Sequence, residues 1–221
     1  QPLPEHDGQL RQNPAWQAER EMEARLDNYG LHRLERLPGN VGYLEVRYFH
    51  RPEWGGASVT AAMVFLAHTN ALILDLRGCL GGFPGMVAQV CGCLFSQPVP
   101  LARIEWHDDG TTQEFCANPQ GTPQPLAEVP VYVLTSRRTF SAGEMCATVL
   151  QSRKRAVVVG EKTDGGAHPG ASYRLHAHFE AFIPIGRVTD PVTGGDWEGV
   201  GVTPDIAIPQ QHALQAAYNM A

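Results

Sequence analysis

The stretch that decides the fold is "LILDLRGCLGG", residues 72–82. Its first half is a short run of apolar residues, which is typical of a strand buried on both faces. Its second half is a glycine-rich turn, and glycine permits positive φ angles and a close approach of backbone N–H groups to a ligand. The stretch therefore predicts a central strand followed by a turn that either cradles an anion or only connects the strand to a helix.

A second stretch, "VYVLTSRRTFSAGEM" at residues 131–145, has the same order of strand, loop and helix. Along the chain, these short apolar runs alternate with segments whose apolar residues have helical spacing. Such an alternation of strands and helices predicts βαβ units and a largely parallel sheet. Ligands of such sheets bind beyond the carboxyl ends of the strands. We therefore expect the chemistry at residues 78–82 and 136–141.

The rest of the chain predicts a helix that opens at Asn13-Pro14 and stops at Gly30, two strands at 31–37 and 41–49, and a helix at 57–69. It also predicts a hairpin around Asp109-Gly110 and a terminal helix. The fold class is α/β, with a mixed, mostly parallel sheet flanked by helices. We expect two parts, a helical extension at 1–30 and one catalytic core at 31–221.

The composition excludes several classes of function. The chain has 221 residues, of which 43% are hydrophobic and 18% are charged, so it can bury a sizeable core. Its net charge of −6 and scattered basic residues argue against nucleic acid as a partner. No apolar run approaches the roughly 18–20 residues of a membrane span. No histidine or cysteine spacing is typical of a zinc site, and we predict neither a metal nor a cofactor.

The five cysteines are odd in number, and four lie in apolar surroundings. This pattern predicts buried free thiols and not a disulfide framework, which favours a reducing compartment such as the cytoplasm. The chain begins at Gln1 without a methionine, so we expect that its start has been trimmed. The compartment itself stays open.

Ser141 admits two interpretations. With Glu144 it forms the pattern Ser-x-x-Glu ahead of a helix, which is the signature of a capping box. A serine at the positive end of a helix is also well placed to act as a nucleophile.

The two stretches, followed by "VVVGEKTDGGAHPG" at 157–170, resemble the tail-specific (carboxyl-terminal processing) serine protease family. That family carries Asp-Leu-Arg-x-x-x-Gly-Gly, then Thr-x-Ser-Ala-Ser/Gly-Glu, then Gly-Glu-x-Thr, and all three motifs occur here in that order. Residues 37–49 and 183–206 further resemble the branch that includes the interphotoreceptor retinoid-binding protein modules and their bacterial relatives. The resemblance covers about residues 31–208.

The resemblance implies a role for each matching residue. Ser141 matches the nucleophile, and the N–H of Ala142, with that of Gly81 or Gly82, matches the oxyanion hole. The implied fold is the spiral α/β core shared with crotonases and Clp proteases. The large insertion that carries a PDZ domain in many relatives is lacking between the first strands and the core, so we expect no PDZ domain.

One departure from the family concerns the base. Many members activate the serine with a lysine 25 residues later, and that position holds Gly166. A serine hydroxyl is a weak nucleophile without a base. His168 is our first choice for the base, with Glu198 orienting it, since an imidazole titrates near neutrality. Tricorn-type relatives take their histidine from an early segment of the core, which makes His50 the alternative base.

Three functions fit these residues. The first is a serine hydrolase that cleaves a peptide or other acyl bond through Ser141. The second is a non-proteolytic enzyme of the same fold, acting on a small molecule by acyl chemistry or cyclisation. The third is a module that binds hydrophobic ligands. The expected partner is thus a peptide or a small hydrophobic or acyl substrate, and a homo-oligomer stays open.

Overall fold

The computed structural model of the chain describes residues 14–119, 125–176 and 178–221. Within these ranges five α-helices occur: α1 (Pro14–Leu26), α2 (Pro52–Leu66), α3 (Pro84–Gly92), α4 (Ala142–Ser152) and α5 (Gln210–Met220). The strands of the same ranges are β1 (Leu31–Leu37), β2 (Val41–Val46), β3 (Ala71–Asp75), β4 (Val99–Trp106), β5 (Thr112–Ala117), β6 (Val131–Thr135), β7 (Val157–Gly160), β8 (Gly170–His176), β9 (Phe179–Pro184), β10 (Gly186–Thr189) and β11 (Ile206–Ala207). The predicted cap of α1, Asn13, lies outside the described residues.

The main sheet has six strands in the order β1-β2-β3-β6-β7-β11. β1 runs antiparallel to β2, and every other neighbouring pair is parallel. The predicted α/β class, with a mixed and mostly parallel sheet flanked by helices, is therefore confirmed. The strand order also places β3 and β6, which carry the two diagnostic stretches, side by side at the centre.

β3 and β6 lie at the centre of the sheet, and each is apolar over its first four residues. All five residues of each strand are buried, so each strand packs on both faces. The larger core lies between the sheet and helices α2, α3 and α4, and a smaller one lies between the other face and α5. Burial on both sides fixes the sheet edge from which the two loops emerge.

Helix α2 begins at Pro52, five residues before the predicted start at 57. Proline favours the first turn of a helix, and the Gly55-Gly56 pair that follows only looks like a loop in the sequence. In the structure a Cβ at Gly55 would lie 2.7 Å from the Tyr29 side chain, and one at Gly56 would lie 2.7 Å from Gln89. The glycines permit close packing of α2 against its neighbours.

The predicted hairpin around Asp109-Gly110 is confirmed as β4 and β5, and β10 completes a three-stranded antiparallel sheet. β8 and β9 pair only with each other. Phe182 and Ile183 are neighbours on β9 and so point to opposite faces, and they are 59% and 43% exposed. Neither face of the β8–β9 hairpin is therefore fully covered by the part of the chain that the structure describes.

All five cysteines are free, and four of them are buried, as the composition predicts. No helix within the described ranges is long and apolar enough to cross a membrane.

Candidate active site

Two loops meet at the edge of the sheet, since β3 and β6 are adjacent and parallel. We call residues 76–83 the glycine loop and residues 136–141 the serine loop. Three hydrogen bonds join them: Ser136 Oγ donates to the Arg77 carbonyl at 2.6 Å, Thr139 Oγ1 to the Leu76 carbonyl at 2.8 Å, and Phe140 N–H to the Cys79 carbonyl at 2.9 Å.

The Asp-Leu-Arg motif anchors the start of the glycine loop. Asp75 is buried at the end of β3 and accepts a hydrogen bond from the Tyr43 hydroxyl at 2.7 Å. Arg77 donates to the same carboxylate and, through Nη1, to the Gln210 carbonyl at 2.8 Å. Burial, followed by the negative charge of Asp75, raises the pKa of Tyr43. These contacts give Asp75 and Arg77 a structural role.

Ser141 lies at the turn between β6 and α4 with φ 52° and ψ −118°. Few residues other than glycine adopt a positive φ, because the Cβ crowds the backbone there. The turn brings the serine against the glycine loop: a Cβ built on Gly81 would lie 2.8 Å from Ser141 Cβ and 3.2 Å from its Oγ. Gly81, with φ 110°, leaves that space open.

Glu144 joins the serine loop to a third loop, residues 161–169, which we call the histidine loop. Its carboxylate is fully buried and accepts four hydrogen bonds. Oε2 accepts from Ser141 N–H and Gly166 N–H, each at 2.8 Å. Oε1 accepts from Thr163 Oγ1 at 2.6 Å and from Gly165 N–H at 2.7 Å. Burial raises the pKa of Glu144, and the four donors oppose that rise.

The predicted capping box is thus only part of what Glu144 does. The sequence pattern accounts for its contact with Ser141 N–H, which satisfies a free donor at the start of α4. The contacts to the histidine loop span 19 to 22 residues of sequence, so no local pattern could reveal them.

The three residues predicted for the oxyanion hole lie together, but they differ in their hydrogen bonds. Gly81 N–H points at the Cys79 thiol, whose pKa burial raises to about 12 despite this contact. Gly82 has φ 126°. On either side of it in the chain, the Gly81 carbonyl accepts a hydrogen bond from Phe49 N–H, and Phe83 N–H donates to the Phe49 carbonyl. Among the described residues, the N–H groups of Gly82 and Ala142 have no acceptor. These two donors are available to a ligand.

His168 lies between two carboxylates. Its Nε2 is 3.5 Å from Asp196 Oδ2, and its Nδ1 is 3.9 Å from Glu198 Oε2. Nε2 is buried and has no hydrogen-bond partner among the described residues. Asp196, which the sequence reasoning missed, is therefore the carboxylate nearest to the ring. Its signal was the Asp-x-Glu spacing in "GDWEG", where only the glutamate was considered.

Glu198 contacts the backbone of the histidine loop more closely than the ring. Its Oε2 accepts hydrogen bonds from Ala167 N–H at 2.6 Å and from His168 N–H at 3.0 Å. Trp197 next to it donates from Nε1 to the Gly166 carbonyl at 3.0 Å. The Trp197–Glu198 segment thus holds the histidine loop in place.

His50 lies beside the glycine loop, where it lines a cavity together with Gly78 and Leu80. Its ring is 4.7 Å from that of Tyr48, and it borders two adjoining cavities of about 500 and 490 Å³. Burial lowers the pKa of His50, although Asp27 nearby opposes this. Within the described residues, no hydrogen bond joins Ser141 Oγ to either His50 or His168.

Gly166 stands where many family members have a lysine, and a side chain there would require the Phe140 ring to move. A Cβ there would clash with the Phe140 ring, whose Cε1 would be 2.9 Å away. Among the described residues, no group of three or more His, Cys, Asp or Glu side chains could hold a metal ion.

Peptidase family S41 matches residues 40–208 of the chain. This chain belongs to peptidase family S41. The S41 match includes all three loops of the site, and the predicted tail-specific protease family is thereby confirmed. The narrower branch, that of the retinoid-binding modules, stays a prediction.

Among similar proteins, carboxyl-terminal-processing peptidase 2, chloroplastic, of Arabidopsis thaliana is 29% identical over 80% of this S41 chain and 35% of its own length. A carboxyl-terminal-processing protease of Picosynechococcus is 30% identical over 80% of this chain and 41% of its own length. The chain thus spans well under half of either relative. The structure of photosystem II D1 C-terminal processing protease superposes with a TM-score of 0.61 and 24% identity, over 79% of this chain and 45% of that one, which supports the fold.

Proposed function

We propose that this chain is a serine hydrolase that cleaves a peptide bond through an acyl intermediate on Ser141. The observation that carries the proposal is the turn at Ser141, where a serine with φ 52° lies against Gly81, while the N–H groups of the adjoining Gly82 and Ala142 have no acceptor among the described residues. A backbone held at such an angle is costly, and it is commonly retained where it displays a reacting group. A capping role alone does not require it, because cap residues ordinarily adopt extended angles.

The free donors suit the charge that develops during acyl transfer. When Ser141 Oγ attacks a carbonyl carbon, the carbonyl oxygen becomes negative and needs donors that are already oriented. Gly82 and Ala142 supply one N–H each, from the glycine loop and from the first residue of α4. Helix α4 adds the partial positive charge of its N-terminus. We assign the oxyanion hole to these two residues, with Gly81 providing space for the serine.

We assign the base to a histidine, with His168 as the first candidate. Two contacts support this assignment: Glu144 ties the histidine loop to the Ser141 turn, and Asp196 lies 3.5 Å from the imidazole. A carboxylate beside a histidine stabilises the imidazolium that forms when the serine proton is transferred. The ring then returns the proton to the leaving amine, and water hydrolyses the acyl-serine. Asp196 and Glu198 would be positioning residues in this scheme.

His50 is the second candidate because it borders the cavities along the glycine loop. Its lowered pKa keeps the imidazole neutral near pH 7, the form that accepts a proton. Catalytic hydrogen bonds often form only in the substrate complex, so the lack of a hydrogen bond from either ring to Ser141 Oγ among the described residues is compatible with either role.

The peptide substrate follows from the relatives. Two similar proteins are named as processing carboxyl termini, and the family is one of peptidases. We extend this activity to a polypeptide substrate of the present chain.

The test is covalent labelling with a fluorophosphonate, followed by intact-protein mass measurement. We expect one adduct in the wild type and none in Ser141→Ala. A folded wild type that takes no adduct would overturn the nucleophile assignment. Turnover retained in Ser141→Ala would instead favour the non-proteolytic alternative.

His168→Gln and His50→Gln then separate the two bases. Loss of a general base typically lowers the rate by roughly 10²–10⁴-fold. We expect this loss in His168→Gln and a rate within a few-fold of wild type in His50→Gln. The reverse pattern would move the base to His50, and unchanged labelling in both would refute a histidine base.

A further inference from the structure

A cavity of about 500 Å³ lies between α1, α2 and the end of the glycine loop. The residues that α1 and its last turn give to this cavity recur every three or four positions, so they form one face of the helix: Trp16, Arg20, Glu23, Ala24 and Asp27. Within α1 only Ala24 is buried, so the helix adds little to the core. The cavity volume falls in the range of roughly 300–1,000 Å³ that is typical of small-ligand sites.

Three aromatic rings line the cavity, one from each element that encloses it. Trp16 lies on α1, Trp54 lies on α2, and Phe83 ends the glycine loop. Each of the three side chains is half-buried. Aromatic rings pack well against one another, and such pairs are stabilised beyond the area that they bury. The cavity therefore suits a ligand that carries an aromatic group.

The Arg51 guanidinium lies over two of these rings. Its Cζ is 4.4 Å from the ring centroid of Phe83 and 5.6 Å from that of Trp54. The Arg51 side chain is half-buried, yet it forms no hydrogen bond or ion pair with any described residue. The other described arginine side chains that lack such a partner are all exposed: Arg25, Arg137 and Arg138. A guanidinium carries its N–H donors in a planar fork that matches a carboxylate, so Arg51 offers a site to an anionic group.

The opposite charge lines the same cavity. The Asp27 carboxylate likewise forms no hydrogen bond or ion pair within the described part of the chain, and it does not pair with Arg51. Arg20 and Glu23 contact each other at 2.6 Å, so their charges offset one another. Burial lowers the pKa of His50, which also lines the cavity, so at neutral pH its ring does not offset Asp27. One cation and one anion are thus held apart in a single cavity.

From this arrangement we infer that the cavity binds a small zwitterion with an aromatic group, either a free aromatic amino acid or a short peptide that contains one. The ligand carboxylate binds Arg51, its ammonium group binds Asp27, and its ring packs among the aromatic side chains. Hydrogen bonds between charged groups contribute more than neutral ones, and a ligand that lacks either charge leaves one protein group without a partner. The inference goes beyond the proposed function, because neither Ser141 nor its N–H donors take part.

The first experiment is calorimetric titration of the full chain with L-phenylalanine and three analogues. 3-Phenylpropionate lacks the ammonium group, phenethylamine lacks the carboxylate, and L-alanine lacks the ring. Each lost charged hydrogen bond lowers affinity by roughly tenfold to a hundredfold, so we expect L-phenylalanine to bind at least about tenfold more tightly than the first two analogues. L-Alanine should bind several-fold more weakly, because it buries no ring. Equal binding of 3-phenylpropionate and L-phenylalanine would refute a zwitterion site.

A second titrant distinguishes the two sources of the ligand. The dipeptide Phe-Phe is titrated into Ser141→Ala, which cannot cleave it through the proposed nucleophile. Tighter binding of the dipeptide would identify a short peptide as the ligand, and tighter binding of L-phenylalanine would identify the free amino acid. The absence of saturable binding for both would overturn the inference.

Two variants test the position of the site. Arg51→Met should weaken L-phenylalanine binding roughly tenfold to a hundredfold while leaving phenethylamine unchanged, and Asp27→Asn should do the same while leaving 3-phenylpropionate unchanged. Arg25→Met is the matched control, because Arg25 is an exposed arginine of α1 that does not line the cavity. Its affinities should equal those of the wild type, and urea midpoints report whether each variant is folded. Unchanged affinity in both site variants, or an equal loss in the control, would refute the site.

Failure of this inference and failure of the proposed function give different results. Fluorophosphonate labelling reports on Ser141, whereas the titrations report on the cavity. Ser141→Ala should bind L-phenylalanine as tightly as the wild type does. Loss of binding in Ser141→Ala would place the ligand at the nucleophile and refute a separate site.

Discussion

Glu144→Gln is the sharpest test of how the site is held together. The substitution keeps the shape of the side chain but replaces one carboxylate oxygen with an NH₂ group, which donates and cannot accept. The amide oxygen can keep the place of Oε2 and its bonds from Ser141 and Gly166. The NH₂ group then faces Thr163 and Gly165, which donate to Oε1 in the wild type.

The cost follows from these four donors. The Thr163 hydroxyl can turn and accept from the new NH₂ group, although it already accepts from Val202 N–H at 2.6 Å. Gly165 N–H cannot reverse, so this half-buried donor, which faces the buried end of the residue 144 side chain, loses its partner. One unsatisfied buried donor costs about 1–3 kcal/mol, and we expect Glu144→Gln to lower the free energy of unfolding by that amount. Glu144→Ala leaves three N–H groups without an acceptor and should cost at least about twice as much.

Urea denaturation followed by tryptophan fluorescence measures these differences. Fluorophosphonate labelling of the same proteins should fall less than about tenfold in Glu144→Gln, which keeps the bond to Ser141 N–H, and about a hundredfold in Glu144→Ala. A Glu144→Gln protein as stable as the wild type would refute the account, and so would equal losses in the two variants.

The pH dependence gives an independent check. Burial raises the pKa of Glu144 in the folded protein above its ordinary value of about 4.3. The folded state therefore favours the protonated acid, and the stability that this adds is lost as pH rises through the folded pKa. Glutamine does not titrate. The gap in unfolding free energy between wild type and Glu144→Gln should be largest in acid and narrow as pH rises, and a gap that widens would contradict the assignment.

Three further outcomes are expected. Gly81→Ala should lower labelling about a hundredfold, because its Cβ would lie 2.8 Å from that of Ser141. The control is Gly39→Ala, which is also at positive φ but has nothing within 4 Å of its Cβ, and it should lower only the stability, by about 1–2 kcal/mol. Arg153→Met should lower the free energy of unfolding by about 3–5 kcal/mol, since it leaves Asp190 charged, 99% buried and without its ion pair. A double-mutant cycle with Asp190→Leu should report a coupling of at least about 1.5 kcal/mol. Because the pKa of His50 is lowered in the folded protein, its contribution to stability is present above about pH 6.5 and is lost as pH falls through the pKa of the folded state. On acidification, the urea midpoint of the wild type should therefore decline more than that of His50→Gln.

The sequence predicts much of the fold because its central strands leave little choice. The apolar runs at 71–74 and 131–134 are typical of strands with both faces covered, and the alternation with helices then favours parallel neighbours. The start of α2 was missed for a physical reason. Gly55 and Gly56 are poor helix formers taken alone, and they belong to the helix because Tyr29 and Gln89 pack where a larger side chain would have been.

The site was predictable only in part. Ser141 and its glycine neighbours follow from short motifs, because one strand end, one turn and one helix start specify them locally. The contacts of Glu144 with the histidine loop, and the approach of Phe140 to Gly166, depend on segments 19 to 26 residues apart in the sequence. Whether His168 or His50 takes the proton, and where the boundary between residues 1–30 and 31–221 falls, stay predictions.

The positive φ of Ser141 has a consequence for how such a chain can change over time. A serine at φ 52° carries a conformational penalty that glycine at the same place would not. Under the proposed function, the same position sets catalysis against stability: Ser141→Gly should yield a more stable protein that can no longer form an acyl ester. A lineage that had abandoned hydrolysis would be free to relax this turn, so the strained serine is what the proposed function would preserve.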